Sequence, residues 1–134
     1  MNVVASRAFR VIPEILLAYQ YGSSVKHPDR NPRDIDIAVL LKPGSSPERR
    51  FEIQTEVGDR LRRKFGKEVD VKILNETSPS FAHQVLKEGR LIFGHRAVAR
   101  KFVVETLTRW FNYLPIHQFF LERLEKRLNK VSHG

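Results

Sequence analysis

Polar and apolar residues alternate along two short stretches, Asp34 to Leu41 and Glu68 to Leu74. Successive side chains of a strand point to opposite faces, so each stretch predicts a strand with one buried face. In the first, Ile35, Ile37, Val39 and Leu41 point into a core, while Asp34 and Asp36 project together on the other side. In the second, Val69, Val71 and Ile73 point inward, and Glu68, Asp70 and Lys72 point away. Ile15 to Tyr21 is mostly apolar and aromatic and ends at Gly22-Ser23-Ser24, which predicts a strand running into a tight turn.

Helix signals fill the intervals. Val3 to Val11 reads as a short first helix with Pro13 beyond it. Val25 to Arg33 contains Pro28 and Pro32 among polar residues and reads as loop. Ser46-Pro47 opens a helix, because serine caps free amides and proline fits the first helical position. Phe51, Val57, Leu61 and Phe65 form its apolar stripe, and Gly66 stands where a left-handed stop belongs. Ser78-Pro79 and Gly89 repeat the start and stop, and Leu91 to Phe93 is a short strand. From about Arg96 the chain reads as helical to Val131, interrupted at Pro115, with Leu121, Leu124 and Leu128 at core spacing.

This order predicts the α+β class: a small mixed β-sheet flanked by helices, with a helical C-terminal half. Strand order stays open. With 134 residues, the expectation is one domain, residues 1–134, made of an α/β core at 1–94 and C-terminal helices at 95–134.

Composition narrows the setting. There are no cysteines, which excludes disulfides and thiolate metal sites. The longest apolar run, Ile37 to Leu41, is far short of the ~20 residues a membrane helix needs. No secretory pattern appears at the start, so the expected setting is cytoplasmic, without a membrane. The formal charge is +9, from 24 Lys plus Arg against 15 Asp plus Glu, which attracts polyanions such as nucleoside triphosphates, nucleic acid or an acidic protein.

The candidate chemistry lies in Gly22-Ser23, ten further residues, then Asp34-Ile35-Asp36, with Asp70 on the later strand. If the two acidic strands are neighbours, three carboxylates converge on one face. Two carboxylates ~4 Å apart repel by about 4 kcal/mol at an effective dielectric of ~20. Such a group shares protons or binds a cation, and an all-oxygen set suits Mg²⁺. Two ions ~3.5–4 Å apart can clamp both oxygens of a phosphoryl displacement. The Gly22 and Ser23 amides, with the Ser23 hydroxyl and that of Ser24, supply donors for phosphate oxygens.

With these residues the chain resembles the nucleotidyltransferase superfamily, and within it the minimal (MNT-domain) members. Gly-Ser, ten residues, Asp-x-Asp is that family's signature, and Glu68-Val69-Asp70-Val71 matches its third carboxylate. The resemblance spans about residues 15–74 by motif and implies a sheet of the nucleotidyltransferase type. It implies transfer of a nucleotide, AMP from ATP above all, to an acceptor hydroxyl. By carry-over, Gly22 and Ser23, with Ser24, hold the triphosphate. Asp34 and Asp36 ligate Mg²⁺, as two ions, and Asp70 completes the metal site and helps deprotonate the hydroxyl. Small members of the family are commonly antitoxins whose partner is a HEPN-type toxin, silenced by adenylylation of a tyrosine. The loop departs from the family pattern, with His27 and Arg33 at positions usually small or serine. Lys26, Arg30 and Arg33 read as solvated loop charges, with phosphate contact as the alternative.

Two other readings compete. One is a non-catalytic antitoxin that neutralises its partner by docking. The other is an enzyme that modifies RNA ends, which the absence of an added RNA-binding region disfavours. The five histidines show no metal-ligand spacing, and there is no P-loop. Arg49-Arg50 and the run from Arg60 to Lys67 are diluted by Glu52, Glu56 and Asp59, so they read as a salt-bridged helix face and not as a nucleic-acid site. Trp110, Phe111, Phe119 and Phe120 crowd around Pro115 beyond what a small core needs, which predicts docking of a partner or a homodimer through the C-terminal helices.

Overall fold

The computed structural model describes residues 3–26 and 34–133. In chain order the elements are α1 (Val3–Arg10), β1 (Ile15–Tyr21), α2 (Ser23–Lys26), β2 (Asp34–Leu41) and α3 (Pro47–Phe65). They continue with β3 (Glu68–Ile73), a 3₁₀ turn (Leu74–Glu76), α4 (Pro79–Glu88), β4 (Arg90–Phe93) and α5 (Arg96–His133). The four strands form one mixed sheet in the order β3-β2-β1-β4. β1 runs antiparallel to both β2 and β4, whereas β2 and β3, joined across α3, are parallel.

Alternation along the strands builds a core on each face of this sheet. On one face Ile35, Ile37, Val39, Val69, Val71 and Ile73 meet Phe9 and Ile12 of the N-terminal segment and Ile53, Val57 and Leu61 of α3. On the other, Leu17, Tyr19 and Ala38 meet Ala82 and Val85 of α4 and Phe102 of α5. The helix signals work as their chemistry predicts. The Ser46 and Ser78 hydroxyls accept the amides of Arg49 and Phe81, each with proline just after the cap. Gly66 ends α3 at φ 63°, in the left-handed region.

Several expectations are corrected. Phe51 does not join the α3 stripe: it is 68% exposed, and Ile53 takes the inward position, four and eight residues before Val57 and Leu61. Gly89 ends α4 in an extended conformation. Glycine is needed there because a Cβ would lie 2.5 Å from the Val85 carbonyl oxygen and 2.9 Å from that of Gln20. The stretch read as loop from Val25 begins instead inside a helical turn, because the Gly22 carbonyl accepts the amides of both Val25 and Lys26. The remainder of that loop, with His27, Arg30 and Arg33, lies outside the described residues.

The largest correction is at the C-terminal end. α5 is one continuous helix that carries Pro115 inside it. Proline removes one amide there, but contacts between side chains bridge the spot. The rings of Tyr113 and His117, one turn apart, stack at 5.1 Å, and the Tyr113 hydroxyl lies 2.9 Å from His117 Nδ1. The first part of α5 packs on the domain, through Val98, Ala99, Phe102, Thr106 and Trp110. Leu121, Leu124 and Leu128 are therefore exposed and not core.

Asn75, in the 3₁₀ turn after β3, completes the edge of β2. Its side chain accepts the Leu41 amide and donates to the Leu41 carbonyl, each at 2.9 Å, in the way a paired strand would. Asn75→Ala removes two hydrogen bonds from the Leu41 backbone, at a place where Asn75 is itself exposed and water can enter. The expected cost is about 1–3 kcal/mol, two net hydrogen bonds at roughly 0.5–1.5 kcal/mol each. Urea denaturation is the check: a change below about 0.5 kcal/mol contradicts this role.

Candidate active site

The acidic residues lie at the end of the sheet where β2 and β3 begin and β1 ends. The parallel register pairs Asp36 with Asp70 and Asp34 with Glu68, while the antiparallel register sets Tyr21 opposite Asp36. Asp34, Asp36 and Asp70 share the face that farther along the strands holds Ala38 and carries α4 and α5. Glu68, in the same row, is held by Arg62 at 3.5 Å.

Charge crowding at this end is visible in the carboxyl of Asp36. Burial holds its pKa above the usual carboxylate range, and the negative charges of Asp70 and Asp34 push in the same direction. Lys72 opposes them and stands 3.8 Å from Asp70. Tyr21, which no sequence motif marks, also belongs here. Its hydroxyl is held strongly protonated by burial and by the charges of Asp36 and Asp70, and its ring packs edge-on against Phe81 of α4 at 5.5 Å.

Gly22 fits between these groups for two physical reasons. Its φ of 77° is one that other residues adopt only under strain. A Cβ there would lie 2.5 Å from Asp36 Oδ2, so any other residue would push that carboxylate out of its place beside the turn. Beyond it, Ser23 and Ser24 begin α2, and the first amides of a helical turn have no carbonyl behind them to bond. The Ser23 side chain is exposed beside them. Ser24 differs: its hydroxyl accepts from the Gln20 amide at 2.9 Å inside the protein. Lys26, read as a free loop charge, is paired with Glu88 of α4 at 2.9 Å and draws the Glu88 pKa down. Gln20, Tyr21 and Glu88 carried no motif in the sequence; the one available signal was their position next to the Gly-Ser turn and to Gly89.

Among the described residues, no three carboxylate or imidazole side chains stand close enough to form a ready-made metal cage. Asp34 and Asp70 are exposed, and Asp36 is half-buried, so their oxygens are open toward solvent. The donor set is all oxygen, and its negative charge exceeds what Lys72 offsets. This is the chemistry of a hard cation that takes its remaining ligands from water and phosphate.

A family model for the nucleotidyltransferase domain of the polymerase β type matches residues 6–97. The chain belongs to the polymerase β nucleotidyltransferase family. The match contains the Gly-Ser turn and both acidic strands. No curated protein matches the chain. Among solved structures it is similar to a toxin–antitoxin complex with AMP-PNP at 25% identity, TM-score 0.73, over 89% of this chain and 94% of that one. It also resembles a structure of the tri-AMPylated Shewanella oneidensis HEPN toxin with its MNT antitoxin, at 21% identity and TM-score 0.69, over 92% and 97%. A structure of the MntA–HepT toxin–antitoxin pair gives 20% identity and TM-score 0.68, over 93% and 99%. These likenesses extend past the family model into the long C-terminal helix. Among the described residues no helix is long and apolar enough to cross a membrane.

The raised Asp36 pKa has a measurable consequence. A carboxyl whose folded pKa lies above its unfolded value favours folding when protonated, and that contribution is lost as pH rises through the folded pKa. With no cation bound, Asp36→Asn is therefore more stable than the parent at neutral pH, and the difference closes below the usual carboxylate range. Thermal melts from acidic to neutral pH test this. An equal or lower melting temperature for the variant at neutral pH contradicts it.

Proposed function

We propose that this nucleotidyltransferase moves AMP from ATP to a tyrosine hydroxyl of a HEPN-type toxin and so acts as its antitoxin. The observation that carries the reading is the juxtaposition of Asp36, Asp70 and Gly22 at one sheet end, inside a nucleotidyltransferase fold. The relatives crystallised with AMP-PNP and with an AMPylated HEPN toxin support ATP as donor and such a protein as acceptor.

In this reading the amides of Gly22 and Ser23 and the Ser23 hydroxyl hold the triphosphate, while Ser24 serves from behind. Asp34 and Asp36, with Asp70, would hold Mg²⁺, most simply two ions. When bound, Mg²⁺ neutralises the triphosphate and polarises the phosphorus under attack. Asp70 accepts the proton of the incoming hydroxyl, whose oxygen bonds to the α-phosphorus as the bond to pyrophosphate breaks. Tyr21, kept protonated, lines the floor beside Asp36 and has a hydroxyl proton to donate. Residues 1–94 form the catalytic part of a single domain, and 95–134 the arm that meets the acceptor.

Mass spectrometry of the mixed proteins with ATP and Mg²⁺ tests this. The expected outcome is one or more adenylyl groups on the partner, abolished by Asp34→Asn with Asp36→Asn. Tight binding and full neutralisation by that double variant, with no mass change in the parent mixture, would support the docking module instead.

The arm makes a separate prediction. Phe111, Ile116, Phe119 and Phe120 are each more than half exposed on α5, more large apolar surface than one domain ordinarily leaves bare. Trp110, first grouped with them, is engaged within the domain, stacked on His83 of α4 at 4.4 Å. Phe119→Ser with Phe120→Ser is expected to weaken partner binding at least roughly tenfold, as loss of interface anchors does. Unchanged affinity by calorimetry would sink the arm's role.

A further inference from the structure

Behind the Gly22-Ser23 turn a chain of hydrogen bonds runs across the sheet. The Arg90 guanidinium on β4 donates to Gln20 Oε1 at 3.3 Å. Gln20 Nε2 donates to Ser24 Oγ at 2.9 Å. Ser24 Oγ reaches the Tyr21 carbonyl at 3.4 Å. The direction of every link follows from the first. Arginine can only donate, so the amide oxygen of Gln20 must face it. The NH₂ group must then face Ser24. The Ser24 oxygen accepts, and its one proton goes to the Tyr21 carbonyl. Gln20 and Ser24 are only 6% and 9% exposed, so water does not readily replace these partners.

The chain is braced at its far end. Glu88 and Gly89 stand immediately before Arg90, and Glu88 holds Lys26 at the other end of α2. The backbone at Gly89 lies so close to Gln20 that a Cβ there would meet the Gln20 carbonyl at 2.9 Å. The turn from Gly22 to Lys26 is thus tied at Ser24 and at Lys26 to one place, the junction of α4 and β4. Gln20 belongs to the strand face opposite Tyr19 and Tyr21.

We infer that Arg90, Gln20 and Ser24 form a positioning relay that holds the Gly22-Ser23 amides in the orientation needed to receive the triphosphate. This deepens the proposed function and rests on its reading of that turn. It also reassigns Ser24: both hydrogen-bonding roles of its hydroxyl are used inside the protein, so it sets the turn and does not touch the nucleotide.

A fixed turn grips the triphosphate alike in the ground and transition states, so loosening it raises KM for ATP and leaves kcat nearly unchanged. The experiment measures both constants for adenylyl transfer by the full chain to its partner, together with melting temperatures. Gln20→Leu and Ser24→Ala are each expected to raise KM for ATP roughly five- to tenfold, the net contribution of one hydrogen bond. The double variant is expected to be no worse than the poorer single one, because the Gln20–Ser24 link then loses both of its polar groups together and neither is left facing an apolar one. Arg90→Leu alters only an exposed side chain and is expected to fold normally while raising KM in the same direction. If Gln20→Leu does not fold, Ser24→Ala and Arg90→Leu decide the matter.

Folded variants with the parent's KM, a fall in kcat alone, or multiplicative effects in the double variant would overturn the relay. A parent protein that neither binds ATP nor transfers from it would overturn the reading of the turn itself. That failure appears before any variant is made.

Discussion

The parallel pairing of β2 with β3 places one carboxylate directly against another, Asp36 against Asp70, with Asp34 two residues away on the same face. A sheet does not gain stability from this. Like charges opposite one another in neighbouring strands repel, and the Asp36 carboxyl is pushed up by burial first and by the charges of Asp70 and Asp34 after it. The arrangement persists because the opposite face of the same strands is apolar throughout. Sliding either strand by one residue would turn Ile35, Ile37, Val69 and Val71 out of the core and the acids into it. The hydrophobic effect thus fixes a register that electrostatics alone would reject.

The neighbouring features follow from that constraint. A crowded acidic end needs a close approach by the anion it is to act on, and the backbone can come near Asp36 only where there is no side chain. Gly22 supplies that, in a conformation few other residues adopt. The next residues turn at once into α2, which leaves amide donors beside the carboxylates. A loop able to pivot about such a glycine would lose the juxtaposition. The Gln20–Ser24 bond on one side and the Lys26–Glu88 pair on the other keep α2 in place. Strand register, glycine and buttress act together on a few ångströms of backbone.

Sequence made the carboxylates and the turn legible because both depend on local rules. Period-two alternation decides which side chains share a face, and a Gly-Ser pair after an apolar strand signals a turn. The helix caps at Ser46 and Ser78 were readable for the same reason. What could not be read depends on contacts between distant parts of the chain. Gln20, Arg90 and Glu88 look like ordinary polar residues until β4 is known to lie beside β1. Phe51 and Ile53 both occupy apolar positions near the start of α3, and only the sheet beneath decides which is buried. Leu121, Leu124 and Leu128 have core spacing, yet spacing states only that a helix has an apolar side. It does not state that this chain covers it.

That uncovered side is informative because of what the rest of α5 does. Near its start, Val98, Ala99 and Phe102 enter the core, and Trp110 stacks on His83 as the helix leaves the domain. Pro115 lies just past that point, where a broken helix would be the ordinary result, but the stacked Tyr113 and His117 span it and the helix continues. Ordering a long helix whose later turns its own domain leaves exposed costs backbone entropy with little burial in return. A second protein that covers Phe119, Phe120 and Leu128 would supply the missing burial. A nucleotidyltransferase must also choose its acceptor. In the proposed function the arm performs that selection, and the acidic sheet end performs the chemistry.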